Sequence, residues 1–245
     1  MTGTKVVKLK LDDGSLGERL PQIRENTAEK AVELYLTLGE RDPIISCHNR
    51  AVSAFQEYDA SSTQLQNVIN TLEENFGSDE EYSWRAGFIV NALVLNSKHA
   101  RLKIKPKLPL DYIGFKMDAK KHITVEGDLG DETGADMQDG RIHVGGSAKN
   151  QTGSGMKGGS IQVDGNVNWL TAANMQGGTL HIRGDAGNAL GFGLCGGTII
   201  VEGNIGNRTA DMMHGGVIKA GGKIESIDEN YQSGEIWESE IKVRG

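Results

Sequence analysis

The sequence predicts a mainly β fold: a right-handed parallel β-helix of 19-residue coils behind an α/β N-terminal capping region. Three observations carry this. Five consecutive segments, 122–140, 141–159, 160–178, 179–197 and 198–216, share one pattern without insertion or loss. It reads x-[I/L]-x-[V/I]-x-G-[D/N/S]-x-x-x-x-x-[G/A]-x-x-[M/L]-x-[D/G]-G, and a fixed period near 20 residues signals a solenoid. Each segment opens with apolar residues at alternate positions (Ile123/Val125, Ile142/Val144, Ile161/Val163, Leu180/Ile182, Ile199/Val201), the period of a strand with one buried face. Finally, the strands lie too far apart for tight hairpins, with no convincing helix between them. Parallel coils stacked about 4.8 Å apart satisfy all three, and five of them span roughly 24 Å.

The elements follow in chain order. Residues 6–11 (VVKLKL) read as a strand, with a turn at Asp12-Asp13-Gly14. Residues 27–38 read as a helix, capped by Asn26 or Thr27 and stopped by Gly39. Residues 63–76 form a stronger helix: Leu65, Val68, Ile69, Leu72 and Phe76 make one stripe, Ser62 can cap it, and Gly77 ends it. The apolar run 88–95 (FIVNALVL) reads as a buried strand and 101–105 as an alternating one. Pro106 and Pro109 mark the join, which divides the chain into a capping or docking region, 1–105, and the coil, 106–245. A solenoid end exposes unpaired backbone and an open core, so a cap there has a physical task.

Within the coil, 112–117 (YIGFKM) reads as the second half of a turn. A glycine closes each strand (Gly127, Gly146, Gly165, Gly184, Gly203), where the chain turns and a Cβ would be costly. Asp128, Ser147, Asn166, Asp185 and Asn204 follow as turn residues. Met137, Met156, Met175, Leu194 and Met213 form an apolar column suited to an irregular interior. The repeat fades after 217–222 through the charged segment 223–230, and 240–245 (EIKVRG) reads as one more strand.

Composition narrows the function. The chain has 245 residues and a net charge of −7, which disfavours a nucleic-acid partner. It holds no apolar run near 18 residues and no signal peptide, so a cytoplasmic, non-membrane protein is expected. Cys47 and Cys195 suggest no disulfide framework. No phosphate-loop motif stands in a strand–helix context. His143 and His181 share an outward column with Gln162 between them; two rungs, roughly 9.6 Å, is too wide for one zinc ion. Cys47-His48 lacks an orienting third group, and read on a strand its side chains point to opposite faces. Asp12-Asp13 and Glu73-Glu74 read as turn and helix-surface residues, not an acid–base couple. No catalytic, cofactor-binding or metal-ligating residue is therefore assigned. The candidates that remain are for a protein interface: His143, Gln162 and His181 on the strand face, and Trp169. Trp169 stands where the other repeats place Asp131, Asn150, Asn188 and Asn207; it reads equally as an interface residue or as packing on the N-terminal region.

These glycine, Asp/Asn and Met columns resemble the GXGXG β-helix superfamily over about 112–219. That superfamily includes the β-helix subunit of formylmethanofuran dehydrogenase, its relative in the formyltransferase/hydrolase complex, and the C-terminal domain of the glutamate synthase large subunit. The run 165–170 (GNVNWL), Met175-Gln176-Gly177-Gly178 and 198–207 (TIIVEGNIGN) are similar to the formylmethanofuran dehydrogenase member. The resemblance implies a non-catalytic scaffold among other protein subunits of an enzyme complex. Metal–pterin, iron–sulfur or flavin cofactors would then sit in those partners, with none bound directly. A glutamate synthase-type structural subunit is the alternative. A self-contained enzyme with a wall groove, as in carbohydrate-active β-helices, fits poorly because the wall lacks clustered Asp, Arg and aromatic residues.

Overall fold

The computed structural model describes residues 27–38, 43–118 and 120–245. The expected strand 6–11, its turn and the caps Asn26 and Gly39 lie outside them. Four helices come first: α1 (Thr27–Thr37), α2 (Ile44–Ala54), α3 (Ser62–Phe76) and α4 (Tyr82–Asn96). Nine short strands follow: β1 (Arg101–Ile104), β2 (His122–Val125), β3 (Arg141–Val144), β4 (Ser160–Val163), β5 (Thr179–Ile182), β6 (Thr198–Val201), β7 (Val217–Ala220), β8 (Glu235–Glu238) and β9 (Ile241–Arg244). They form one sheet in chain order. β1 to β8 pair in parallel with every inward residue in register, so Ile123, Ile142, Ile161, Leu180, Ile199 and Ile218 stack in one line. This is a β-solenoid, as the repeat predicted.

The spacing is 19 residues only in the middle. Arg101 pairs with His122, 21 positions on, and Val217 with Glu235, 18 positions on. The first coil has two residues more than the repeat and the last has one fewer, so the sequence pattern blurs there while the register holds. The chain thus completes a coil through β8, a strand the sequence reading missed. β9 turns back antiparallel on β8 rather than adding a coil.

The interior is filled by columns. Met137, Met156, Met175, Leu194 and Met213 are fully buried, as expected. A second column, absent from the sequence reading, is Thr133, Thr152, Thr171 and Thr209, all 0% exposed. Each of these hydroxyls donates to the carbonyl three residues back, at 3.0–3.3 Å. Local bonding lets a polar side chain sit in a dry coil without a cross-coil partner.

The expected strand at 88–95 is instead the centre of α4. Residues from Ala86 to Val94 are all buried, because α4 packs on α1, α2 and α3 as well as on the first coil. A helix covered on every side loses its amphipathic stripe, and a short apolar run then reads equally well as a strand. Cys47 and His48 lie on α2, which the sequence reading missed; both are buried there, not on opposite faces of a strand.

The helices close the open coil in two ways. Along α4, Ser83, Gly87 and Asn91 fall at i, i+4, i+8 and so share a face. Ser83 bonds Asp111, and the Asn91 amide, fully buried, donates to the Phe115 carbonyl at 3.1 Å and accepts from the Gly114 N–H at 2.9 Å. A Cβ on Gly87 would lie 2.0 Å from the Asp111 carbonyl oxygen, so glycine sets the approach. Along α3, side chains satisfy the free edge of β1 and of the segment that follows it. Ser62 Oγ accepts from Lys103 N–H, Gln66 brackets the N–H and C=O of Lys105, and Glu73 accepts from Lys107 and Leu108 N–H. The helix cap is therefore Ser61, in a capping box with Gln64, which leaves Ser62 for the strand. Glu73, expected on a solvated surface, belongs to this cover.

Candidate functional site

The coil corners are built from side chains that bond the next coil. Asp128 Oδ1 accepts from Ser147 N–H, Ser147 Oγ from Asn166, Asn166 Oδ1 from Asp185, Asp185 Oδ1 from Asn204, and Asn204 Oδ1 from Lys223, at 2.7–3.1 Å. The glycine before each later member makes room for this. A Cβ on Gly146, Gly165, Gly184, Gly203 or Gly222 would sit 2.2–2.5 Å from the ladder oxygen of the coil before. These glycines answer close approach rather than the turn conformation the sequence suggested; of that column only Gly127 has a left-handed φ.

A second ladder runs beside it. Asp111 accepts from Asp131 N–H, Asp131 from Asn150, and Asn150 from Trp169, at 2.8–3.3 Å; it resumes with Asn188 accepting from Asn207. Trp169 interrupts it. An indole has a donor and no acceptor, so this coil offers the Asn188 N–H no side-chain oxygen. The indole is 53% exposed. A large apolar side chain replaces a residue type that the architecture uses, and it faces water.

Trp169 stands on a wall made by alternating left-handed residues. Glu132, Gln151, Leu170, Ala189 and Arg208 form one column, with φ between 55° and 59°. Their N–H groups bond the following coil where the next column has a carbonyl to give, as from Glu132 to Asn150 and from Ala189 to Asn207. The wall changes character along its length. Near the helices it is acidic: Asp111, Asp131 and Asp136 surround Glu132, and burial together with these neighbours raises the Glu132 carboxyl to about 7. Tyr112 beside them is raised to about 12, first by burial and then by Glu132. In the middle Trp169 is exposed and Leu170 and Phe192 are half-buried, flanked by the polar Asn150, Gln151 and Asn188. At the far end Arg208 lies over Asp211 and Asp228, 2.6 and 3.3 Å away, with Met212 exposed beside it. In the sequence Trp169 alone stands out on this wall. The flanking charges were hidden because their grouping depends on which corner positions face outward.

The strand face is more self-contained. His143 Nε2 meets Asp164 Oδ2 at 2.8 Å; Gln162 Nε2 and Arg183 Nη1 meet Asp164 Oδ1 at 2.9 and 3.1 Å. The bond from Gln162, then those from His143 and Arg183, hold the Asp164 carboxyl below its usual range. His181 Nε2 meets Glu202 Oε1 at 2.9 Å. So His143 and Gln162 converge on one carboxylate, His181 uses another, and Trp169 lies on a different wall. Among the described residues no group of three or more His, Cys, Asp or Glu is placed to hold a metal ion. No described helix is long and apolar enough to cross a membrane. A groove of about 320 Å³ lies between α3 and β1, but its Ser62 and Gln66 are already engaged with strand backbone.

No model of a known protein family and no curated protein matches this chain.

Proposed function

We propose that this chain is a non-catalytic scaffold subunit of a multi-subunit cytoplasmic enzyme complex. The proposed kind is that of the β-helix subunit of formylmethanofuran dehydrogenase or of the formyltransferase/hydrolase complex. The observation that carries it is Trp169: an aromatic side chain 53% exposed, set into a polar ladder that it interrupts. Half-exposed tryptophans on rigid surfaces are the residues that interfaces use as anchors. The coil supports the same reading, since bonded ladders and dry columns make a stiff wall and leave the side chains engaged in holding coils together. Metal–pterin, iron–sulfur or flavin chemistry would belong to the partner subunits. The unbroken 19-residue spacing of the central repeats favours a second reading, a structural subunit of a glutamate synthase-type complex.

Affinity purification of the tagged chain from its native host, with mass spectrometry of stoichiometric companions, tests this. Molybdenum or tungsten subunits are expected on the first reading, and glutamine amidotransferase or flavin–iron–sulfur subunits on the second. Recovery of the chain without any other subunit, active by itself, would overturn both.

A further inference from the structure

We infer that the wall carrying Trp169 is an interface between two copies of this chain, packed face to face with their coil axes antiparallel. The inference goes beyond the scaffold reading: the partner at the Trp169 anchor is a second copy of this chain, and any other subunits dock on the remaining walls. Its basis is the symmetry that the 19-residue repeat imposes on one column. Glu132 precedes Leu170 by two repeats and Arg208 follows it by two, so opposite charges lie about 10 Å on either side of an apolar centre. A twofold axis in the plane of the wall, along the Trp169–Leu170 rung, inverts the coil direction. It places Glu132 of each copy opposite Arg208 of the other and brings the two Trp169 side chains together on the axis.

Both charges suit this arrangement. Among the described residues the Glu132 carboxyl receives no hydrogen bond or ion pair, yet three other carboxylates crowd it. A cation from outside the chain would relieve it. Arg208 spends Nη2 on Asp211 and Nε on Asp228, which leaves Nη1 to donate outward. The two acids are 3% and 10% exposed against 67% for Arg208, so the group that reaches the surface at that end is the guanidinium, within a cluster of one cation and two carboxylates. The rungs between carry Gln151 and Ala189 in this column, and the twofold sets Gln151 of each copy opposite Ala189 of the other, beside Trp169 and Phe192. Packing with parallel axes would set Glu132 on Glu132 and Arg208 on Arg208, so charge selects the antiparallel arrangement.

Sedimentation equilibrium of the purified full chain, from micromolar to submillimolar concentration at neutral pH and low salt, tests it. A monomer–dimer equilibrium is expected, with Trp169→Ala raising the dissociation constant at least about tenfold. Glu132→Arg and Arg208→Glu should each weaken self-association. An equimolar mixture of the two should form heterodimers, because every pair is then opposite in sign. Both residue types already occupy this column at left-handed φ, and circular dichroism melts check folding. Where Arg208→Glu does not fold, Arg208→Gln, chosen because Gln151 occupies the same column, takes its place beside Trp169→Ala as a weakening variant. A wild-type chain monomeric throughout, variants that dimerise like wild type, or folded charge variants that fail to pair would each overturn the inference. A chain that is monomeric but co-purifies with other subunits overturns this inference alone. A homodimer free of other subunits overturns only the scaffold reading.

Discussion

Two glycine-to-alanine substitutions separate backbone conformation from close packing, and they are expected to rank against the usual rule. Gly153 has φ +70°, where L residues are disfavoured; Gly184 has no such φ. From conformation alone Gly153→Ala should cost more. The surroundings say otherwise. A Cβ at Gly153 would meet only Leu180 Cδ2 and Ile161 Cδ1, at 3.6 and 3.7 Å, which is ordinary contact. The same column holds Ala172 and Ala210 at φ 58° and 63°. The left-handed penalty of about 1–2 kcal/mol is partly offset by about 0.4–1 kcal/mol from a stiffer unfolded chain, so a net loss near 1 kcal/mol is expected. At Gly184 the new Cβ would lie 2.2 Å from Asn166 Oδ1, 2.6 Å from the Gly165 carbonyl oxygen and 2.8 Å from its carbon. Backbone must move. Overpacking costs about 1–3 kcal/mol, and displacing Asn166 weakens its bond from Asp185 N–H, worth about 1 kcal/mol. A loss of about 2–4 kcal/mol follows, or a melting temperature lower by roughly 5–15 °C for a chain of this size. Urea unfolding of the two variants beside wild type, with unchanged m-values, makes the comparison. A Gly153→Ala variant as damaged as Gly184→Ala would refute the claim that the coils are limited by contact between rungs.

Three further substitutions address other parts. Asn91→Leu leaves the Gly114 N–H and Phe115 C=O buried without partners, at a cost of about 1–3 kcal/mol each; amide exchange in the first coil should speed up before that in the central coils. Glu132→Gln should stabilise the dilute monomer in a pH-dependent way. The folded carboxyl titrates near 7 against an ordinary 4.5, so the wild type loses stability as pH rises between those values. About 1.4 kcal/mol per unit, discounted for partial exposure, gives the variant an advantage of roughly 1–3 kcal/mol at pH 8 that vanishes near pH 4; denaturant titrations at several pH values check it. Asp164→Asn removes the anion shared by His143, Gln162 and Arg183 and should cost about 1 kcal/mol at neutral pH. Because that carboxyl is held low, its contribution is present above the usual carboxylate range and lost as pH falls through the folded value, so wild type and variant should converge in acid.

How much of this the sequence disclosed follows from distance along the chain. The inward strand residues and the Met column were legible because each repeats at 19 with a constrained residue type. The corner residues were legible as turn formers, but not as a ladder: Asp128 and Ser147 bond across coils, and spacing alone does not tell a local partner from one a rung away. Helix α4 reads as a strand because burial on every side removes its period, and α2 buries Cys47, His48 and Ala51, residue types that do not read as an apolar stripe. The end coils blurred through spacings of 21 and 18. Trp169 was legible because it departs from its column. Its neighbours Glu132 and Arg208 were not, since each conforms to a position that tolerates any side chain.

The corner ladder also gives the molecule a direction of growth. In every rung the accepting oxygen belongs to the earlier coil and the N–H to the later one, from Asp128 with Ser147 through to Asn204 with Lys223. A coil emerging from the ribosome therefore meets a finished template whose acceptors are already in place. Losing an early coil strips these side-chain acceptors from the corner N–H groups behind it, while losing a late coil strips carbonyl acceptors from N–H groups ahead of it, such as those of Val167 and Ile205. The side-chain rungs of the corner thus all point one way along the coil axis, away from the helices, while the backbone bonds beside them run both ways.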